Sequence, residues 1–160
     1  MRIVILGAGG YGKVVADLAE QLGYSPIVLD DNSDAPCKDF ASYDCPILAA
    51  FGNNEFRLAW CEKIKAAGKT LATLVHPTAY VSPKATVGEG TVILPHAIVN
   101  TGTVVETGCI INCGAIVDHD CVIERGAHIC LGAVVKGMNR IAKCAKVEAG
   151  EVIERGTYHV

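Results

Sequence analysis

From position 81 to position 153 a Val or an Ile stands at every sixth residue without a gap: Val81, Val87, Ile93, Val99, Val105, Ile111, Val117, Ile123, Ile129, Val135, Ile141, Val147 and Ile153. Two residues ahead of each stands a mostly small side chain: Ala79, Ala85, Thr91, Ala97, Thr103, Cys109, Ala115, Cys121, Ala127 and Ala133, then Asn139, Ala145 and Glu151. Glycine recurs three residues after the aliphatic position, at 90, 102, 108, 114, 126, 132 and 150. A helix repeats near 3.6 residues and a lone strand near 2, so neither produces a clean period of six. A period of six is that of a β-solenoid, in which a short strand and a tight turn recur and each coil stacks on the last. With three hexads to a coil, residues eighteen apart become vertical neighbours.

The rest of the chain follows another grammar. Residues 1–75 alternate between strand and helix: a strand at Arg2–Leu6, a glycine turn, a helix at Lys13–Leu22 closed by Gly23, and a strand at Ser25–Leu29. The stretch 34–44 has no pattern and reads as loop. A strand over Pro46–Phe51, a helix over Glu55–Ala67 and a last strand over Lys69–Val75 complete a β-α-β-β-α-β order, a small parallel sheet with helices packed on it. His76-Pro77-Thr78 is the joint at which the period changes. The expected division is therefore 1–75 and 76–160, with about four coils in the second part.

Composition narrows the partners. The chain of 160 residues is 51% hydrophobic but only 6% aromatic, which suits a narrow solenoid filled with Val, Ile, Ala and Thr. Its net charge of −3 and lack of a basic run give no electrostatic case for nucleic acid or an anionic membrane. The apolar start, MRIVILGAGG, is interrupted by glycine too early for a signal peptide or a membrane span. None of the eight cysteines forms a CxxC pair, so they read as small apolar fillers in a reducing cytosol.

Two places carry candidate chemistry. Gly7, Gly9 and Gly12 fit G-x-G-x-x-G between a strand and a helix, the context of a phosphate-binding turn. Asp30 and Asp31 end the second strand, where an acid commonly meets a ribose or base. Seventy-five residues supply half of a doubly wound sheet, which favours one nucleotide, as part of a substrate, over a whole NAD. On the solenoid, Asp118-His119-Asp120 follows Val117. A carboxylate on either side favours protonation and can hold the ring in one tautomer, as a general base requires. Thr101 falls one coil below His119 and Gly137 one coil above, where a glycine leaves room for a ligand. His128 lies nine residues on, just ahead of an inward Ile.

The glycine turn with Asp-Asp, the joint LATLVHPTAYVSPKATVGEG and the run NCGAIVDHDCVIERGAHICLGAVVKG together resemble the sugar acetyltransferases of the NeuD/PglD type, over nearly the whole chain. The resemblance implies a small Rossmann-like α/β domain followed by a left-handed parallel β-helix, a cytoplasmic homotrimer, and acetyl transfer from acetyl-CoA to an amine or hydroxyl of a nucleotide-linked sugar or of sialic acid. It implies that His119, steadied by Asp118 or Asp120, is the base, with Asn112 near the reacting group. His128, Gly137 and the backbone of Ala149 would line the acetyl-CoA groove between subunits. Gly9, Gly10, Tyr11, Asp30 and Asp31 would hold the nucleotide sugar. No metal is implied. Relatives often carry His at the position of Tyr11, and continue into further coils that end in a Gly-Pro-Ala segment near coenzyme A. The chain's end at Val160 leaves an alternative expectation, a non-catalytic nucleotide-sugar binding protein with a shortened coenzyme groove.

Overall fold

The computed structural model describes residues 1–160. Strand β1 (Arg2–Leu6) is the centre of a three-stranded parallel sheet, flanked by β2 (Ser25–Leu29) and β3 (Ile47–Ala49). Ile3, Val4, Ile5 and Leu6 are all fully buried, as expected of a strand covered on both faces. Helix α1 (Gly10–Gln21) begins three residues earlier than the sequence suggests, because Gly10, Tyr11 and Gly12 already form its first turn. Helix α2 (Asn54–Ala66) starts at an Asn53 cap whose side chain accepts the Phe56 N–H at 2.9 Å. The stretch expected to be loop contains a short 3₁₀ helix, Cys37–Ser42, begun by the Asp31 carboxylate, which accepts the Cys37 N–H at 2.8 Å.

The last strand assigned by sequence to the α/β sheet belongs elsewhere. Leu71 makes only an isolated bridge to Ile47, and Leu74–Val75 pairs with Val92–Ile93 as the first rung of the solenoid. The reason was present in the period: Val75 stands one hexad before Val81. The solenoid therefore has five rungs rather than about four, and it begins at Leu74.

Those rungs build three five-stranded parallel sheets, the faces of a left-handed triangular prism. Every pairing joins residues eighteen apart, such as Ile111 to Ile93 and Ile129. The inward Val and Ile side chains from Ile93 to Val147 are at most 1% exposed and form one core with the small column. Each such side chain contributes about 1.5–3 kcal/mol of burial. Asn139, which interrupts the small column, is 2% exposed and satisfied. Its amide donates to the Lys136 carbonyl at 2.8 Å, and its oxygen accepts the Thr157 N–H and hydroxyl. All eight cysteines are free thiols, and Cys109 and Cys121 fill inward positions of the small column.

The two parts meet on the first face. Its outward column reads Leu74, Val92, Ile110, His128, Lys146. The first three pack with Ile3, Ile5, Val15, Leu18 and Leu48 in a single cluster. The column turns polar at His128, where the cover of the α/β part ends. Helix α2 seats on the neighbouring corner of the prism. Asn54 there donates to the carbonyls of Cys144 and Ala145, at 3.0 and 3.2 Å.

Candidate active site

The first centre is the cleft over the C-terminal ends of β1, β2 and β3. The strand order reverses direction at β1, so the chain leaves a crevice there, the usual ligand position of an open parallel sheet. Gly7 adopts φ +105°, a left-handed conformation, and a Cβ on Gly12 would collide with the Gly7 carbonyl oxygen. These two glycines let β1 turn directly into α1. Gly9 caps α1 without a side-chain hydrogen bond, so the first N–H groups of the helix stay available to an anion.

The cleft, about 430 Å³, brings together all five residues assigned to the nucleotide sugar: Gly9, Gly10, Tyr11, Asp30 and Asp31. Two of them already have structural work. Asp30 accepts the Ala8 N–H at 2.7 Å with one oxygen and the Asn32 backbone and side chain with the other. The Ala8 bond, then those of Asn32, hold its carboxyl below the usual range. Asp30 is thus the latch of the glycine turn. Asp31 uses one oxygen on the 3₁₀ helix and remains exposed in the cleft lining. Tyr11 contributes to the lining, but its hydroxyl is buried without a hydrogen-bond partner, and burial pushes its pKa up. Sequence reasoning missed Phe51, Gly52 and Phe56 in the opposite wall, where the two rings meet edge to face at 4.8 Å. The signal was the turn Phe51-Gly52-Asn53 one residue after β3, at the end of an open parallel sheet where ligands commonly bind.

The second centre is the corner between the second and third faces. The His119 Nδ1 lies 2.8 Å from Asp120 Oδ2, and its Nε2 lies 3.9 Å from Asp118 Oδ2. Asp120 holds this position with φ +55°, and the space under its carboxylate exists because Gly102 has no Cβ. The Asp118 carboxyl lies below the usual range, chiefly through the His119 backbone N–H, with Asn100 donating at 3.2 Å. Gly137 lies directly above the ring: a Cβ there would stand 2.5 Å from His119 Nε2. The room left by this glycine is occupied by the imidazole itself rather than left open for a ligand.

The third centre is on the first face, where His128 Nε2 meets Asn112 Nδ2 at 3.0 Å. The Asn112 oxygen accepts the Cys113 N–H at 2.8 Å, which leaves its NH₂ group to donate to the ring. His128 is therefore the neutral tautomer with its proton on Nδ1. Its pKa is lowered to about 4, first by burial, then by the cations of Arg57 and Lys146. Asn112, assigned to the same group as His119, pairs with His128 instead. Gly137, assigned to the coenzyme, packs on His119. Ala149 is exposed in the turn after Lys146–Val147, one coil above Leu131. Within one chain His119 and His128 occupy different sides of the prism.

The model of the PglD N-terminal domain family matches residues 2–64. UDP-N-acetylbacillosamine N-acetyltransferase of Bacillus subtilis is 33% identical over 110 residues, which is 58% of this chain and about half (51%) of that protein's length. The acetyltransferase domain of PglB from Neisseria gonorrhoeae, solved in complex with acetyl coenzyme A, superimposes with a TM-score of 0.92 at 36% identity, over 98% of this chain and 83% of that one. PerB from Caulobacter crescentus, solved with CoA and GDP-perosamine, gives 0.86 at 25% identity, over 100% and 92%. A glycine-turn cleft, a five-rung prism and an acid-flanked corner histidine, in a chain that matches the PglB acetyltransferase domain at 36% identity over 98% of its length, make it a member of the NeuD/PglD-type sugar acetyltransferases.

Proposed function

We propose that this protein transfers an acetyl group from acetyl-CoA to an amine, or a hydroxyl, of a nucleotide-linked sugar. The observation that carries the reading is the His119 corner. With Nδ1–H donated to Asp120, Nε2 keeps a lone pair and serves as the base. The sugar amine attacks the thioester carbonyl, Nε2 takes the proton the nitrogen sheds, and the tetrahedral intermediate expels the CoA thiolate, which is then protonated. The Nδ1–H of His128 supplies a neutral donor for the oxyanion. Direct transfer needs no cysteine nucleophile, since both substrates are held together. The glycine-turn cleft, with Gly9, Gly10, Tyr11, Asp30 and Asp31, takes the nucleotide end. Ala149 flanks the coenzyme, and Gly137 seats the His119 ring. The neighbours solved with acetyl coenzyme A, or with CoA and GDP-perosamine, support both substrate classes.

The active unit in this reading is a cytoplasmic homotrimer in which His119 of one copy faces the His128 side of the next. Two observations support it. The two imidazoles lie on different sides of one prism, and the second face carries an outward apolar column of Tyr80, Ile98, Ile116, Val134 and Val152. Tyr80 and Val152 are 54% and 49% exposed. Such a column on a monomer is the mark of an interaction surface.

The test incubates the purified chain with acetyl-CoA and a panel of nucleotide-linked amino sugars, following thiol release and a mass gain of one acetyl group. Light scattering in parallel gives the oligomeric state. Binding of the sugar nucleotide without acetyl transfer would assign the chain to the non-catalytic alternative. A monomer with full activity would remove the shared site.

A further inference from the structure

The most deeply buried charge in the molecule lies outside both histidine centres. Arg57, on α2, is 1% exposed, and every partner of its guanidinium is a neutral oxygen. Nε donates to the Gly108 carbonyl at 2.9 Å and Nη2 to the Gly126 carbonyl at 2.6 Å and to Asn54 Oδ1 at 2.9 Å. Nη1 donates to the Phe51 carbonyl at 3.0 Å. The titratable groups around it are Tyr11 and the thiols of Cys109, Cys61 and Cys144. No carboxylate neutralises it. A buried cation of this kind is costly, and a purely apolar filler of the same shape would usually serve stability as well.

The places it touches explain its presence. Gly108 is two residues ahead of the strand Ile110–Ile111, which leads straight into Asn112. Gly126 is two residues ahead of His128. The two carbonyls belong to successive rungs, so one planar fork sets their spacing, and with it the spacing of Asn112 and His128. Phe51 is in the wall of the glycine-turn cleft. The charged groups that bear on His128 are Arg57 from α2, Lys146 from the next rung and Glu148 beyond it, with Glu148 opposing the two cations.

We propose, on the basis of the acetyl-transfer reading, that Arg57 is a positioning residue for the reaction. Its guanidinium fixes the strands that carry Asn112 and His128 and ties them to the wall of the nucleotide cleft. His128, disfavoured from protonation first by its burial and then by the Arg57 and Lys146 cations, keeps the orientation that Asn112 gives it. A lysine keeps the cation but not the fork, because an ammonium is a point charge without the guanidinium's planar donor set.

The experiment uses the full chain as Arg57→Lys and Arg57→Met, with folding checked by circular dichroism. Histidine-labelled NMR, assigned with His128→Asn, follows the protonation of His128 against pH. In the parent, His128 stays uncharged well below pH 6.5, the ordinary histidine value. In Arg57→Met its midpoint moves up toward that value, whereas in Arg57→Lys it stays near the parent's. Turnover falls in both variants, on the order of tenfold or more, because the reacting groups lose their spacing. A folded Arg57→Met whose His128 titrates like the parent's would overturn the proposal, as would parental kcat in Arg57→Lys. If Arg57→Met does not fold, the lysine variant decides: lowered kcat with an unmoved His128 midpoint supports it. If the parent transfers no acetyl group, the functional reading fails, and the NMR midpoints still decide what Arg57 does to His128.

Discussion

Two histidines nine residues apart in sequence occupy opposite environments. His119 stands at a partly exposed corner between two carboxylates, under a glycine. His128 is half-buried at the edge of the α/β cover, paired with an amide and faced by two cations. The first surroundings place two carboxylates beside the ring; in the second, burial first and then the two cations lower the pKa of the ring. In the proposed reaction the same residue type would supply both a base and a neutral donor, because burial and the signs of the surrounding charges differ between the two sites.

Exchanging the roles is the strongest way to break that comparison. His119→Ala should lower kcat by roughly 10²–10⁴-fold, the usual contribution of a positioned base. His128→Ala should cost less, about 10²-fold, as the loss of one oxyanion donor does. Thiol release from acetyl-CoA measures both, and a His128→Ala defect larger than that of His119→Ala would invert the assignment. Gly137→Ala sharpens the picture of the corner: the added methyl displaces the ring, and kcat should fall on the order of tenfold to a hundredfold with both acids intact. Parental turnover in Gly137→Ala would mean that the ring position does not matter. Asp30→Asn tests the cleft instead of the prism. It weakens the latch on Ala8, so affinity for the sugar nucleotide should drop about tenfold or less while kcat holds, as read by calorimetry and steady-state kinetics.

The smallest effect is on stability. The pKa of His128 is lowered in the folded state, so below about pH 6.5 the unfolded chain binds a proton that the folded chain does not. Its contribution is fully present above that pH and is lost as pH falls toward about 4. Melting temperature should decline across this window, and His128→Gln should flatten that part of the curve. The carboxyls of Asp30, Asp118 and Glu124, held below their usual range, act only at lower pH.

The prism was legible because its register is an arithmetic of six and eighteen. Vertical neighbours such as His119 and Gly137 follow from counting, and the mistaken strand at 69–75 would have been caught by counting back one hexad to Val75. What Gly137 does was misjudged, since a count gives adjacency but not which atoms fill the gap. In the α/β part no repeat fixes distances. The strand-end place of Asp30 and Asp31 puts them in the cleft lining, but the local bonds that Asp30 makes to Ala8 and Asn32 and Asp31 makes to Cys37 do not follow from any spacing. Phe51 and Phe56 were missed because a cleft wall built from a turn and a helix has no period. Arg57 was invisible for the same reason: its partners are carbonyls 51 and 69 residues away, which every residue possesses.

The eighteen-residue pitch also makes the reach of this molecule discontinuous. Successive coils are spaced by about 4.8 Å, the separation of hydrogen-bonded strands. Losing or duplicating one whole coil between the α/β cover and His119 would preserve every ladder bond elsewhere and move His119 by one such step. A shorter insertion would turn inward side chains out to solvent. The gap between the glycine-turn cleft and the His119 corner is therefore adjustable only in whole increments, like the teeth of a ratchet.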